Sequence, residues 1–256
     1  MRRHRLAAAA LFVLVPIALL FSPAPAKEPS DPTLLWSVIS NLCLPNYTRT
    51  GLAFPCTEVD PRKGIAIVKA PGDKAHFLLV PTTPISGIES PALLAADAPD
   101  YWDDAWAFRG SLEKYAGRPI AWNDLGIAVN SARGRSQDQL HLHIACVRTM
   151  VKDALAKRQA VIGTKWTKLG FAVNGHRYLA MRVEQESFGD RDPFKLLAAG
   201  IPSARNAMAE YTLAVIGATF ADGRRGFYVL TDRANPARKN NASGEELLDP
   251  ECARPE

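Results

Sequence analysis

The chain has few of the residues that usually bind metals or carry redox chemistry. It contains five histidines and four cysteines, and no two cysteines stand in a Cys-x-x-Cys spacing, so neither a redox dithiol nor a thiolate zinc site is indicated. Internal repeats, low-complexity tracts and long blocks of one charge are also missing. The lysines and arginines behind the net charge of +5 are scattered along the chain, so charge alone selects no class of partner.

The apolar run near the N-terminus, from Leu6 to Phe21, is shorter than the roughly 20 residues that comfortably span a bilayer. Arginines precede it at positions 2, 3 and 5, and an Ala-Pro-Ala sequence at residues 24–26 follows it. This order is that of a cleaved signal peptide, and an uncleaved membrane anchor is an equally open interpretation. In both cases we expect everything after Lys27 to be exported.

Export gives the cysteines a structural interpretation, because disulfides persist in exported proteins. An even set of four predicts two disulfides, for which the sequence allows three connectivities. In one of these, a bridge closes a short loop and a second bridge holds the C-terminal tail. That connectivity would pair Cys43 with Cys56 and Cys146 with Cys252.

The pattern of apolar residues and turn signals predicts strands arranged in hairpins, with helices between them. Asp100 is the expected N-cap of one helix. Since the strands do not alternate regularly with helices, we predict an α+β fold with a mostly antiparallel sheet, and a flexible polar connection over 235–243. The predicted strands are 64–70, 75–81, 125–130, 140–147, 166–169, 178–184, 212–220 and 226–231, and the predicted helices are 34–42, 100–115, 149–160 and short ones from Pro193 and Ser203.

Residues 139–146 form a strand-like stretch that carries two of the five histidines. Side chains two apart in a strand share a face, so His141 and His143 lie on one side with Gln139 and Ala145. The alternate residues on the other side are all apolar. We expect that side to pack in the core, while the first side displays two imidazoles and an amide next to one another.

Three interpretations of the histidine pair compete. The first is a solvated strand face, and the second is a His-x-His metal site, for which the additional ligands would be Asp138 or the distant His76 and His176. The third is phosphoryl or nucleotidyl transfer with a histidine nucleophile. Neutral imidazole attacks phosphorus near neutral pH when its other nitrogen is held as N–H by an acceptor.

The loop before the strand, residues 130–137, favours the third interpretation. Phosphate oxygens are bound by neutral donors, by guanidinium groups and by backbone that a glycine lets approach closely. The loop supplies all three, through Asn130, Ser131, Ser136 and Gln137, through Arg133 and Arg135, and through Gly134.

Residues 130–146 resemble the motif region of the histidine-triad superfamily, in which a strand with three alternating histidines follows a loop that contains asparagine and glutamine. Most of the chain resembles, more closely, the bacterial CDP-diacylglycerol pyrophosphatase family, including its N-terminal apolar segment and four cysteines. The segments that carry the resemblance are Cys43-Leu44-Pro45-Asn46, Pro55-Cys56-Thr57-Glu58-Val59, Leu78-Leu79-Val80-Pro81-Thr82, Glu89-Ser90-Pro91 and Asn130-Ser131 with Gly134-Arg135.

The resemblance implies roles for individual residues. His141 matches the middle histidine of the triad, which is the nucleophile, and His143 matches the third, which assists at the phosphate. Gln139 replaces the first histidine, so that this position can donate a hydrogen bond but cannot titrate. Asn130 and Gln137 match the asparagine and the glutamine of the loop.

The resemblance further implies hydrolysis of CDP-diacylglycerol to CMP and phosphatidate through a cytidylyl-histidine intermediate, in phospholipid metabolism. Such chemistry needs no metal or other cofactor, and we predict none. His143 and Gln139 are expected to bind phosphate oxygens, and Asn130 and Ser131 are expected to orient them. Arg133 or Arg135 is expected to bind the second phosphate, with Gln137 as a further phosphate-binding residue.

The implied fold is a histidine-triad-like (HIT-like) α+β domain with a C-terminal extension. We divide the chain into a signal peptide or membrane anchor (1–26), a linker and disulfide-bearing segment (27–63) and the catalytic domain with its extension (64–256). The expected partners are CDP-diacylglycerol in the membrane and an anionic phospholipid surface, and no nucleic acid. The expected location is the periplasmic side of a bacterial inner membrane, or the periplasm if the N-terminal segment is cleaved.

Two alternatives follow from the same residues. The chain could be an exported hydrolase of soluble nucleotide pyrophosphates or phosphoramidates. It could also be a non-catalytic nucleotide- or phospholipid-binding protein, since Gln139 replaces a triad histidine.

Overall fold

The computed structural model describes residues 31–253. The predicted signal peptide or anchor, residues 1–26, lies outside the described residues. Within residues 31–253, no helix has both the length and the apolar character that crossing a membrane requires.

The fold is α+β, as expected, and is built on one large antiparallel sheet. Its strands follow the order β1-β2-β3-β5-β4-β8-β9-β7-β6, and β10 pairs with β5. The pairing is antiparallel throughout. Consecutive strands form hairpins, as in β2–β3 and β8–β9, while β3–β5, β4–β8 and β7–β9 pair strands that are not consecutive in the chain. The strands are β1 Glu58–Asp60, β2 Ile65–Lys69, β3 Phe77–Pro81, β4 Leu125–Val129, β5 Leu142–Val147, β6 Thr167–Lys168, β7 Leu179–Val183, β8 Tyr211–Thr219, β9 Arg225–Arg233 and β10 Leu248–Asp249.

The helices agree with most of the predicted ones. Asp100 caps α3 as predicted, because its carboxylate accepts a hydrogen bond from the Asp103 N–H at 3.1 Å. The N-terminal helix is longer than expected, since a π-helical turn, Ile39–Cys43, joins α1 to α2. The helices are α1 Leu34–Val38, α2 Leu44–Thr50, α3 Tyr101–Ala107, α4 Arg109–Ala116, α5 Thr149–Arg158 and α6 Pro193–Gly200.

The helix predicted from Ser203 is wrong. Residues 201–207 form successive turns, with bonds from Ala204 N–H to the Ile201 carbonyl and from Ala207 N–H to the Ala204 carbonyl. The Ser203 hydroxyl pairs with the hydroxyl of Tyr211 at 2.7 Å. A side chain that is held by the next strand does not cap a helix.

The sheet buries its two faces differently. One face packs against α3, α4 and α6 in the largest hydrophobic cluster, which contains Trp102, Phe188 and Phe227. The other face carries two smaller clusters, one under the N-terminal helices and one under α5. His143 lies between these two, because it pairs with Leu78 of β3 and with Ala128 of β4.

Two disulfides hold the ends of the described chain to this sheet. Cys43–Cys56 ties the N-terminal helices to the segment before β1, and Cys146–Cys252 ties β5 to the C-terminal tail, with sequence separations of 13 and 106. Of the three connectivities that the sequence allows, the structure has this one. Loop closure of these lengths stabilises a fold by roughly 3 to 5 kcal/mol per bridge.

Residues 235–243, predicted as a flexible polar connection, divide into an exposed stretch, 235–239, and a stretch that is bonded to the sheet, 240–243. The Ser131 N–H donates to the Ala242 carbonyl at 3.0 Å, and the Ala242 N–H donates to the Asn240 side chain at 2.8 Å. The next residue but one, Gly244, lies so close to β8 that a Cβ atom would be 2.5 Å from the Thr212 hydroxyl. The prediction is wrong for residues 240–243, where the buried Asn240 side chain bonds backbone rather than facing water. For the exposed residues 235–239 it stays a prediction.

Candidate active site

Strand β5 and the residue before it place the two histidines. Leu142, Ile144 and Cys146 point into the large core, as the alternation predicts. His141 and His143 point to the opposite face and are each only 6% exposed. Their burial contradicts a solvated strand face, the first of the three interpretations.

The environment of His141 fixes its tautomer. Its Nδ1 lies 2.7 Å from the carbonyl oxygen of Gln139. A carbonyl only accepts hydrogen bonds, so Nδ1 carries the hydrogen and Nε2 carries the lone pair. Burial lowers the pKa of His141, the Gln139 carbonyl partly opposes this, and the neighbouring Arg135 and His76 add to the lowering. The residue is therefore a neutral imidazole with a nucleophilic Nε2 near pH 7.

The environment of His143 occupies both of its nitrogens. The Glu245 N–H donates to Asn130 Oδ1 at 3.3 Å, which turns Asn130 Nδ2 toward His143 Nε2, also at 3.3 Å. Nε2 thus accepts, and Nδ1 carries the hydrogen. This Nδ1 lies 2.9 Å from Nε2 of His76 and 3.1 Å from Oε2 of Glu245.

His76 extends this arrangement into a chain. Its Nδ1 lies 2.6 Å from the carboxylate of Asp73, which only accepts, so Nε2 of His76 is left as an acceptor for His143. The two rings are stacked with centroids 5.1 Å apart. The result is a continuous series from Asp73 through His76 to His143, which stands beside His141 with ring centroids 4.9 Å apart.

The second histidine is also held neutral. Burial lowers the pKa of His143 well below its usual value, and the neighbouring His141 and His76 act in the same direction. The Glu245 carboxylate lies 3.1 Å from Nδ1 of His143, but its side chain is 41% exposed, so solvent weakens its field. If Nε2 of His143 takes up a proton, the resulting imidazolium can still donate its Nδ1–H to Glu245 or to His76, which is bonded to Asp73.

Gln139, which stands at the first triad position, is buried and fully bonded. Its amide group donates to the carbonyls of Pro81 and Thr83 at 3.0 and 2.9 Å, and its carbonyl accepts from Ile85 N–H at 3.2 Å. The side chain therefore fixes the loop after β3. Its predicted contact with phosphate stays a prediction, and it would require the exchange of one of these bonds.

The predicted phosphate arginines differ from each other. Arg135 forms a two-pronged ion pair with Glu89, at 2.7 and 3.0 Å, and a third bond with Asp138. These partners occupy its guanidinium group. Arg133 is exposed, so of the two it is the one whose charge is accessible to a second phosphate.

Ser131 and Gln137 hold neighbouring segments in place. The Ser131 hydroxyl accepts from the N–H groups of Arg133 and Gly134. The Gln137 side chain accepts from Leu35 N–H at 2.7 Å and donates to the Asp31 carbonyl at 2.9 Å. Both residues therefore shape the loop before His141, and their direct contact with phosphate stays a prediction.

Sequence reasoning missed two members of the site, Asp73 and Glu245, and considered a third, His76, only as a distant metal ligand. Asp73 and His76 stand three apart in the turn before β3, and the only signal was the strand alternation that brings Leu78 opposite His143. Glu245 reaches the site because residues 240–249 fold over the sheet, and nothing in the local sequence indicates that. A cavity of about 330 Å³ opens beside these residues and is also lined by Ser243 and Arg148.

The metal interpretation gains no support from the geometry. Between residues 31 and 253, no three His, Cys, Asp or Glu side chains are arranged so that they could hold one metal ion. His76, which the sequence offered as a distant ligand, is bonded to His143 instead, and His176 is bonded to Glu246. A reaction without a metal stays a prediction.

Comparisons with known proteins agree with the resemblance in the motifs. The sequence model of a family described as "CDH: CDP-diacylglycerol pyrophosphatase" matches residues 30–255. A Yersinia pestis protein named CDP-diacylglycerol pyrophosphatase is 39% identical over 223 residues, which are 87% of this chain and 85% of that protein.

Proposed function

The chain belongs to the CDP-diacylglycerol pyrophosphatase family, and on that basis we propose that it hydrolyses CDP-diacylglycerol to CMP and phosphatidate with His141 as the nucleophile. The observation that carries this proposal is the bond from His141 Nδ1–H to the Gln139 carbonyl. It leaves Nε2 with its lone pair, as nucleophilic attack on phosphorus requires.

In the first step, the Nε2 lone pair of His141 attacks the phosphorus that bears cytidine. A bond forms between Nε2 and phosphorus, and the bond from that phosphorus to the bridging oxygen breaks, so that phosphatidate leaves with the electron pair. The ring keeps its hydrogen on Nδ1 and becomes a cytidylyl-imidazolium. The carbonyl of Gln139, 2.7 Å from Nδ1, stabilises this positive charge.

In the second step, water attacks the same phosphorus, the bond to Nε2 of His141 breaks, and CMP leaves. The attacking water gives up one proton. We assign its uptake to Nε2 of His143, which exchanges its bond from Asn130 for the new hydrogen. Glu245, 3.1 Å from Nδ1 of His143, and the His76–Asp73 pair then stabilise the imidazolium.

A HIT-like placement is part of the proposal. It is supported by the His-x-His pair on a central antiparallel strand, by Asn130 next to it, and by a backbone carbonyl that holds the nucleophile. Gln139 departs from the triad at its first position. The departure leaves the proposed nucleophile intact, because the backbone carbonyl of residue 139, rather than its side chain, bonds His141.

The proposed context is phospholipid metabolism at the periplasmic side of a bacterial inner membrane, because the proposed substrate is a membrane lipid and the N-terminal sequence predicts an export segment. Neither a soluble-nucleotide hydrolase nor a binding-only protein is favoured, since the named relative is a pyrophosphatase of CDP-diacylglycerol.

Hydrolysis in water labelled with oxygen-18 tests the proposal. Attack at the cytidine-bearing phosphorus places the label in CMP, while attack at the other phosphorus places it in phosphatidate. The proposal predicts labelled CMP and unlabelled phosphatidate, measured by mass spectrometry of both products. Label in phosphatidate, or the absence of both products, would contradict it.

A further inference from the structure

The exposed large apolar residues of the described chain concentrate in one N-terminal segment. Four of the eight lie within residues 34–54: Leu34, Leu42, Leu52 and Phe54, with exposures of 55, 51, 64 and 76%. We call these four the N-terminal apolar surface. Exposed apolar residues that group together mark an interaction site, whereas scattered ones need no explanation.

Helix geometry and one hydrogen bond place three of these residues, Leu34, Leu42 and Phe54, along one side of the segment. Leu35, Ile39 and Cys43 form a buried line at four-residue intervals, so Leu34, Val38 and Leu42 form a neighbouring line along the same helix. Asn46 stands four residues after Leu42 and continues this line. Its side-chain amide donates to the carbonyl of Phe54 at 2.7 Å.

The charge of this segment points to the chemistry of its partner. From Pro32 to Thr57 the sequence contains no Asp or Glu, and Arg49 is its single charged residue. Arg49 is exposed in the last turn of α2. A surface with exposed apolar side chains, one cation and no carboxylate fits an anionic lipid interface, where apolar burial and electrostatic attraction add.

The position of the segment in the chain agrees with such a partner. It begins immediately after the N-terminal 30 residues, which contain the apolar run from Leu6 to Phe21. It is also bonded to the chain just before His141. The Leu35 N–H donates to the Gln137 side chain at 2.7 Å, and the Asp138 N–H donates to the Pro32 carbonyl at 2.8 Å. His141 lies three residues beyond Asp138.

We propose that the N-terminal apolar surface docks on the phospholipid bilayer and thereby sets the active site next to its lipid substrate. This inference rests on the proposed function for the identity of the substrate. The docking itself is a separate physical claim, because it concerns contact between named side chains and lipid and needs no turnover.

Fluorescence quenching tests the docking without reference to activity. The full chain carrying Phe54→Trp is reconstituted in vesicles of phosphatidylethanolamine and phosphatidylglycerol whose acyl chains are brominated. The proposal predicts quenching of the added indole beyond that of the native tryptophans. Met150→Trp, at a site that is 56% exposed on α5, is the matched control and should show no added quenching.

Kinetics test the consequence for catalysis. The double variant Leu42→Ser/Leu52→Ser should raise the apparent KM for CDP-diacylglycerol in these vesicles about tenfold, because two apolar side chains no longer enter the lipid. Its kcat, and its rate on a water-soluble CDP ester, should not change. The control Met150→Ser/Val161→Ser removes side chains of similar exposure, 56 and 52%, and should change neither constant.

The outcomes separate the two claims. Quenching at position 54 without turnover by the parent chain would support docking while overturning the proposed function. Turnover without added quenching at position 54 would overturn docking. A dimer in detergent solution that Leu42→Ser/Leu52→Ser dissociates would assign the surface to a second copy and also overturn docking, as would equal losses in the control variant.

Discussion

His141 and His143 stand two residues apart on one face of the sheet, and both are 6% exposed, yet they are held in different ways. A backbone carbonyl holds His141 through Nδ1, and across residues 31–253 no protein atom bonds its Nε2. Side chains hold His143 through both nitrogens. His141 therefore has a nitrogen lone pair that is not engaged in a hydrogen bond, whereas both nitrogens of His143 are bonded to neighbouring side chains.

The difference indicates a division of labour. A nucleophile needs an accessible lone pair, and a main-chain acceptor can hold its other nitrogen without titrating. A group that takes up charge needs partners that stabilise the charged form, and His143 has Glu245 and the His76–Asp73 pair for this. Identical residues on one strand thus acquire separate roles through their neighbours.

The largest effect is expected at the residue with the unbonded nitrogen. His141→Ala removes the nucleophile and should lower kcat for CDP-diacylglycerol by more than about 10³-fold, because the other imidazoles of the site, those of His143 and His76, have both nitrogens bonded. Steady-state release of CMP measures the change. Circular dichroism serves as the control for folding, and substantial activity in a folded variant would contradict the assignment.

A smaller loss is expected at the residue within the network. His143→Gln keeps a polar side chain but removes the proton acceptor, so kcat should fall by roughly 10²-fold. Phosphatidate should then appear in a burst before CMP, because only the second step depends on that acceptor. Equal slowing of both products would show that the two histidines do not divide the steps.

Glu245→Gln sharpens the comparison by removing charge and keeping shape. Without the carboxylate that lies 3.1 Å from Nδ1, the imidazolium that His143 forms in the second step should be less stable, which lowers kcat several-fold and leaves KM unchanged. Pre-steady-state rates should place the loss in CMP release. Glu251→Gln, an exposed site near the C-terminus, is the control, and an equal loss there would argue against a specific role.

The smallest expected effect is on stability. Burial lowers the pKa of both histidines in the folded state, so the unfolded chain takes up their protons at a higher pH than the folded chain. Their contribution to stability is therefore present above about pH 6.5 and is lost as the pH falls toward the folded-state values. Denaturant unfolding at pH 7.5 and 5.5 measures this loss.

His143→Asn should reduce the loss, because the substituted side chain does not titrate. Asp100 and Asp192 act in the opposite direction, since burial raises the pKa of each to about 6. Both remain in the variant and cancel in the difference between the two proteins. The same loss of stability in both proteins would contradict a buried neutral His143.

The sequence sufficed for features that depend on local pattern. Alternation predicted β5 and its two faces, turn signals predicted the hairpins β2–β3 and β8–β9, and a capping carboxylate predicted the start of α3. These features depend on residues a few positions apart, which is the range over which such patterns carry information.

The rest of the site depends on contacts between distant parts of the chain. Glu245 reaches His143 because the C-terminal segment packs on β8 and bonds Ser131, and polar composition alone suggested a flexible connection. Similarly, the sequence alone indicated that Arg135, Gln139 and Gln137 are free to donate hydrogen bonds to phosphate, because it does not show the groups that they bond. Glu89, Pro81 and Asp31 supply those partners from elsewhere in the chain.

The most direct test of the central claim is the intact mass of the protein after rapid mixing with CDP-diacylglycerol in mixed micelles. The quench should be mildly alkaline, where bonds between phosphorus and histidine survive, and His143→Gln should be measured beside the parent chain. We predict a mass gain of one cytidylyl group that maps to His141 and accumulates in the variant. Release of CMP with no adduct in either protein, or an adduct on another residue, would contradict His141 as the nucleophile.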